Sequence, residues 1–215
     1  PDSVESQITS RTVAVCAVDY AGQPGVTEDL ARLCHKHDLF LIEDAAHSIG
    51  SSLNSEPIGA LADLTAFSFF PTKNITTGEG GAVVASTASA HRRVREVARQ
   101  GLIRDPERFH IRDEGPWHQE VHELGLNYRL PDVLAALGLS QLCRLDEFRA
   151  MRANIKQRYD EGFQSSQRIK VPCQVPNSDV MWHLYPLRVP PSFRRRVFEQ
   201  LRSKGIRVQV NYMPA

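Results

Sequence analysis

The chain has 215 residues, 41% of them hydrophobic and 24% charged, with a formal net charge of +1. That composition fits a folded globular protein and excludes collagen-like and disordered classes. No run of about 18 apolar residues marks a membrane helix, the N-terminus lacks the basic-then-apolar pattern of a secretory signal, and neither nucleic acid nor membrane is expected as a partner.

The first ninety residues alternate strand and helix signals. Thr12–Val18 is a β-prone run, closed by Asp19 and the turn Gly22-Gln23-Pro24-Gly25. Thr27 is expected to cap a helix with Glu28 and Asp29 in its first turn, and Leu30, Leu33, Cys34 and His37 repeat at helical spacing. The apolar run Leu39–Ile42 follows and stops at Glu43-Asp44. Strand, helix, strand over about 30 residues predicts a βαβ unit with strands buried on both faces. Two more strands are expected, Leu64 to Phe69 and Gly81 to Ala85.

Beyond residue 88 the pattern turns helical. Ser89 is expected to cap a basic helix through Gln100, Asp105–Glu123 reads as a loop, and Pro131 opens a helix running through Leu142. Asp146–Gly162 predicts a long bridging helix. Leu184–Val189 and Ile206–Tyr212 then read as strands on either side of a helix over Phe193–Lys204. Domains are expected at 1–147 and 148–215. The charge is split, with residues 1–90 carrying a net −7 and residues 91–215 a net +8. Twenty-one of the 26 basic residues are Arg, which either grip an anionic ligand, dock on the acidic half or form a solvated surface. Cys16, Cys34, Cys143 and Cys173 show no paired or metal-ligand spacing, so they are expected to be buried, reduced thiols of a cytoplasmic protein. No metal site is expected.

In open α/β sheets, ligands bind beyond the carboxyl ends of strands. Asp44 and Ser68 close two predicted strands, and Lys73 follows Ser68 by five residues, just before the glycine-rich turn Thr77-Gly78-Glu79-Gly80-Gly81. A carboxylate, a hydroxyl and a lysine converging on one crevice suit pyridoxal 5'-phosphate chemistry. Each has an ordinary alternative taken singly, as a helix cap, a turn hydroxyl or a solvated amine. The order and spacing set them apart. Glu43-Asp44-Ala45-Ala46-His47-Ser48, Phe67-Ser68-Phe69-Phe70-Pro71-Thr72-Lys73-Asn74 and the glycine-rich turn, then Gly125-Leu126-Asn127-Tyr128-Arg129 and Trp182-His183-Leu184-Tyr185, resemble the DegT/DnrJ/EryC1/StrS family of sugar aminotransferases.

The resemblance implies an α/β, aspartate-aminotransferase-like fold (fold type I). The chain would hold part of the large domain, with a mostly parallel sheet, and an incomplete α+β small domain. It implies that Lys73 is the catalytic, Schiff-base lysine and proton shuttle, that Asp44 pairs with the cofactor's ring nitrogen, that His47 sits against the ring or its hydroxyl, and that Ser68 binds the phosphate. It implies that Asn127 reaches a partner's cofactor in a homodimer with shared active sites. Arg129, His183 and Tyr212 are implied near the substrate. Glutamate and a keto sugar nucleotide are the implied substrates, and Asp19-Tyr20-Ala21-Gly22-Gln23-Pro24 most resembles the branch that makes 4-amino-4,6-dideoxy sugars. The resemblance covers a little over half of a family member and the chain does not open with Met, so an inactive fragment of a longer enzyme is expected. The competing expectation is a non-catalytic homologue that binds a sugar nucleotide or the cofactor.

Overall fold

The structure is a computed structural model that describes residues 1–212. The chain forms two compact units. The first comprises Pro1–Ala153 and Gln174–Leu184, and the second Asn154–Cys173 and the residues from Tyr185 on. Residues 148–153 and 174–184, which the sequence assigns to the second domain, therefore pack with the first.

In the first unit a short helix α1 (Asp2–Glu5) leads to the βαβ unit β1 (Ala14–Val18), α2 (Glu28–Lys36) and β2 (Phe40–Asp44). Thr27 caps α2 as expected, its Oγ1 accepting from the Leu30 N–H at 3.3 Å, which satisfies one of the helix's orphan donors. A hairpin, β3 (Ser52–Leu53) and β4 (Glu56–Pro57), precedes β5 (Leu64–Ser68) and β6 (Gly81–Ala85). The main sheet has the order β1-β2-β5-β6. β1, β2 and β5 run parallel, and β6 returns antiparallel to β5. The pairings Val18↔Asp44 and Asp44↔Ala66 bring the carboxyl ends of three strands to one edge.

Val26, Leu30, Leu33 and Cys34 pack with Leu41 and Ala62, joined by Val15, Ala17 and Leu39. Alternation along β1 turns Cys16 and Val18 to the other face, where Val18 is 55% exposed and Phe40 66%. Burial on both faces, as expected from the apolar runs, therefore does not hold for these strands. The thiols differ too. Cys34 alone is buried, while Cys16, Cys143 and Cys173 are exposed.

Four more elements complete the first unit. Helix α3 (Ala88–Ala98) is capped by Thr87, whose Oγ1 accepts from Ala90 N–H at 3.2 Å. Ser89, the expected cap, lies inside the first turn, whereas Thr87 has the extended backbone that capping requires. β7 (Leu102–Ile103) pairs with β8 (Glu120–Val121), the latter inside the stretch read as loop. Helix α4 (Asp132–Leu142) follows Pro131, and α5 (Leu145–Phe163) begins here and ends in the second unit. β9 (Ser178–Asp179) returns to pair with β3.

In the second unit Tyr185 packs on Tyr159 with ring centroids 4.8 Å apart, and its hydroxyl donates to Asp160 at 2.7 Å. Arg188 bridges Lys170, and α6 (Pro191–Ser203) follows Pro190. The strands expected at Leu184–Val189 and Ile206–Tyr212 do not form. Among the described residues no segment offers either a ladder, and β-prone side chains alone do not make a strand. The stretch Gly205-Ile206 to Tyr212-Met213-Pro214 also resembles the family's small domain, and Met213 and Pro214 lie outside the described residues.

Adjacent residues at the end of β2 face opposite ways. Glu43, 2% exposed, accepts from Gly59 N–H at 2.9 Å and from the hydroxyl of its strand partner Thr65 at 3.0 Å. Burial, aided by the charge of Asp19, pushes its carboxyl up to about 7. A carboxyl raised in the folded state contributes stability that is present below the ordinary pKa of 4.5 and lost as pH rises through about 7. Glu43→Gln keeps an acceptor for both donors and removes the ionisation. It should raise stability above pH 7 by on the order of 3 kcal/mol and flatten the pH dependence of Tm between pH 5 and 8. Parallel Tm curves for the two proteins would refute the assignment.

Candidate active site

Asp44, His47, Lys73 and His183 share one neighbourhood beyond the carboxyl edge of the sheet. Asp44 ends β2, and its Oδ1 accepts from Ala46 N–H at 3.1 Å, the fold-back that turns the chain towards His47. Lys73 sits in the turn after β5. Burial lowers the pKa of its amine, and the Asp44 carboxylate opposes that shift. The same carboxylate favours protonation of His47, but burial and the Lys73 charge outweigh it and lower that imidazole's pKa. The lysine therefore lies within electrostatic reach of both groups.

The Lys73 turn is tied down by main-chain bonds. Lys73 N–H donates to Phe70 O at 2.9 Å, Thr77 N–H to Phe69 O at 3.0 Å, and Phe69 N–H to Gly80 O at 2.9 Å. Thr76 N–H donates to the Gln141 amide oxygen at 2.9 Å, anchoring the turn on α4. Ser68 ends β5 two residues beyond Ala66, the partner of Asp44, and its Oγ accepts from Phe70 N–H at 3.4 Å.

Asn74, only 7% exposed, organises the histidines. Its Nδ2 donates to His47 O at 3.3 Å and to Met181 O at 3.1 Å, which uses both amide hydrogens. Its Oδ1 must then be an acceptor, so His183 Nδ1, 3.1 Å away, carries a hydrogen and His183 Nε2 keeps a bare lone pair. His47 has the opposite tautomer. Its Nδ1 accepts from Ala21 N–H at 3.3 Å, which leaves the hydrogen of the neutral ring on Nε2. The two rings lie 4.4 Å apart at 39°. Ala21 O accepts from His183 N–H at 2.9 Å, so one residue positions both rings. Burial and the neighbouring charges of His47, Lys73 and Arg152 lower His183 to about 4, which keeps it neutral at physiological pH.

The approach of this late segment depends on Gly22. Its φ is +100°, and a Cβ there would lie 2.2 Å from Met181 O. Arg152 of α5 donates to Trp182 O at 2.9 Å from the other side. Asp19, fully buried at the end of β1, accepts from Gly25 N–H at 2.6 Å and from the Ser48 hydroxyl, and burial raises its pKa.

No contact ties the other expected residues of the first unit to this cluster among the described residues. Asn127 pairs through its backbone with Arg99, and its side chain accepts from Arg129 Nε at 2.8 Å. The flanking Leu126 and Tyr128 N–H groups bond the carbonyls of Val97 and Ala98 at the end of α3. Arg129 lines a cleft of about 900 Å³ with Phe67, Gly80, Tyr128 and Leu134. It also lines a second cleft of about 580 Å³ that collects Arg92, Arg95, Arg99, Arg104 and Arg108. Tyr212 belongs to the second unit and is 62% exposed. Sequence reasoning passed over Asn74, Asp19 and Arg152. Asn74 stands next to the lysine and Asp19 ends β1 as Asp44 ends β2, whereas nothing local marks Arg152.

Residues 1–215 match the profile of the DegT/DnrJ/EryC1/StrS aminotransferase family. A Campylobacter jejuni UDP-4-amino-4,6-dideoxy-N-acetyl-beta-L-altrosamine transaminase is 36% identical over 207 residues, 94% of this chain and 52% of that protein. The solved structure of Helicobacter pylori PseC, an aminotransferase involved in the biosynthesis of pseudoaminic acid, superposes with a TM-score of 0.89 at 31% identity, covering 99% of this chain and 56% of that one. Spr1654 of Streptococcus pneumoniae in its PMP form superposes with a TM-score of 0.86 at 26% identity, covering 99% and 59%. The chain thus spans about half the length of the relatives it matches.

Proposed function

The chain belongs to the DegT/DnrJ/EryC1/StrS aminotransferase family, and from that membership and the site geometry we propose that it carries the lysine-bearing half of a pyridoxal-phosphate site. The enzyme would transfer an amino group from glutamate to a 4-keto-6-deoxy sugar nucleotide in amino-sugar or surface-glycan synthesis. The observation that carries the reading is the grouping of a partly desolvated Lys73 amine with the Asp44 carboxylate at the edge of the sheet.

The donor set suits pyridoxal 5'-phosphate, in which a protonated ring nitrogen makes the ring an electron sink for amino-group exchange. Asp44 supplies a fixed negative charge for that nitrogen. The buried His47 offers a flat, neutral ring face, and the Ser68 hydroxyl a donor for phosphate. Lys73, with its pKa lowered by burial, is more readily neutral than a solvated lysine and so suits it to attack a carbonyl and to carry a proton. His183 Nε2 presents an acceptor that stays unprotonated at neutral pH.

Asn127 and Arg129, exposed and bonded to each other, suit a second role, contributed to the partner's site in a homodimer. Val133 and Leu139 of α4, 75% and 64% exposed, supply apolar surface for such an interface. No described helix is long and apolar enough to cross a membrane, and the exposed thiols of Cys16 and Cys143 suit a reducing cytoplasm. Transamination is expected of a family-length chain that includes these residues and not of the 215 residues alone. The test incubates that longer enzyme with glutamate and a panel of 4-keto and 3-keto sugar nucleotides, and identifies products by mass. Amination of a 4-keto acceptor is the expected result. Binding of the panel without any amination would support a non-catalytic homologue instead.

A further inference from the structure

Three histidines and one glutamate meet on the β7–β8 hairpin, a region that the proposed reaction does not use. Glu120 lies in β8, and His118 and His122, two residues to either side of it, both meet its carboxylate, while Val121 is 65% exposed. The Glu120 carboxylate accepts from the backbone N–H groups of His110 and Ile111, both at 2.9 Å, which draws the 110 loop over the strand. His118 Nε2 lies 3.1 Å from Glu120 Oε1, and His122 Nε2 is hydrogen-bonded to Oε2. His110 Nδ1 is 4.0 Å from Oε2, and its ring stacks on that of His122 at 4.3 Å.

One ligand atom each from His110, Glu120 and His122 lies within 4.8 Å of the others. Two atoms bound to one tetrahedral zinc ion at about 2.0–2.2 Å lie about 3.4 Å apart. To complete such a set His110, which is 80% exposed, must turn off its stack and close by roughly 1.4 Å, and the hydrogen bond from His122 Nε2 to Glu120 Oε2 must open as the ion takes its place. Glu120 needs no movement, since the two backbone N–H groups and His118 already hold it.

We propose that His110, Glu120 and His122 form a binding site for a divalent transition-metal ion of the zinc class, with His118 positioning the carboxylate. Two imidazoles and one carboxylate select such an ion over calcium or magnesium, which take all-oxygen ligands. Three protein ligands leave one tetrahedral position for water or an added anion. The ion would tie the 110 loop to the strand that leads into Asn127.

The test titrates chelator-treated, tag-free protein with cobalt(II), read by its visible d–d bands, and then displaces it with zinc(II). One ion per chain with tetrahedral bands is expected. His122→Ala, Glu120→Gln and His110→Ala should each weaken zinc binding by at least about tenfold. His118→Ala should weaken it by roughly 10–100-fold, as for a residue that orients a ligand. His35→Ala, an exposed histidine elsewhere, should leave binding unchanged. His110→Ala removes an exposed side chain, so unchanged far-UV circular dichroism separates lost ligation from misfolding. Absence of saturable binding, parent-like affinity in both His110→Ala and His122→Ala, or a thiolate charge-transfer band placing the ion on a cysteine would overturn the proposal.

Discussion

Lys73→Arg, made in a family-length enzyme that carries this segment, is expected to lower transamination by at least 10²–10⁴-fold, the order associated with losing a positioned acid–base group. Arginine keeps a positive charge near Asp44, and the main-chain bonds that hold the turn survive. What it loses is the neutral amine, because a guanidinium with a pKa above 12 does not give up its proton in proteins. Burial acts on Lys73 in the opposite sense, lowering its pKa and so enlarging the fraction of neutral amine available. The measurement is single-turnover amination with saturating substrates, together with the visible absorbance of bound cofactor, which should change in Lys73→Arg even where cofactor remains. Activity within tenfold of the parent would remove the lysine from the chemistry and with it the proposed function.

Asn74→Asp is the second large effect, and it falls on stability. The substitution preserves shape and the acceptor for His183 but removes both amide hydrogens. A carboxylate oxygen then faces the carbonyls of His47 and Met181, each of which has lost its donor. An unsatisfied or repelled buried group costs about 1–3 kcal/mol. Two of them suggest on the order of 3 kcal/mol or more, which for a chain of this size corresponds to about 6–12 °C in Tm. The new negative charge against His183 Nδ1–H should also raise that ring's pKa from about 4. Thermal denaturation and histidine NMR titration check the two halves separately. A Tm within about 2 °C of the parent would show that Asn74 does not bridge these carbonyls.

The strand ends were readable because apolar β-prone runs stop abruptly. Leu39–Ile42 giving way to Glu43-Asp44 locates the end of β2, and Phe67-Ser68 the end of β5. The spacing from Ser68 to Lys73 then places the lysine in the turn beyond that edge. Partner choice was not readable where it is non-local. The Asn74–His183 bond joins residues 109 apart in sequence, and neither side chain announces the other. Glu43 looked like a mere strand terminator because only the register to Thr65 shows that it points into the core. The strands expected over 184–189 and 206–212 failed for the converse reason, since propensity is local and a ladder needs a neighbour. The His118, Glu120, His122 alternation was visible, but Pro106, Gly115 and Pro116 disguised the short hairpin as loop.

The return of residues 174–184 to the first unit has a consequence for how the chain is made. A ribosome releasing residue 153 has delivered every strand of the main sheet and the lysine itself, yet Asn74 still lacks one of its two carbonyls and its imidazole, and β3 lacks its third strand. About thirty further residues must emerge before the nascent site can lock, and until then the lysine turn is held on one side only. Such late closure is the kind of long-range pairing that slows folding. Truncations made at the end of the continuous stretch would therefore strand the polypeptide short of its last clasp, however complete its sheet.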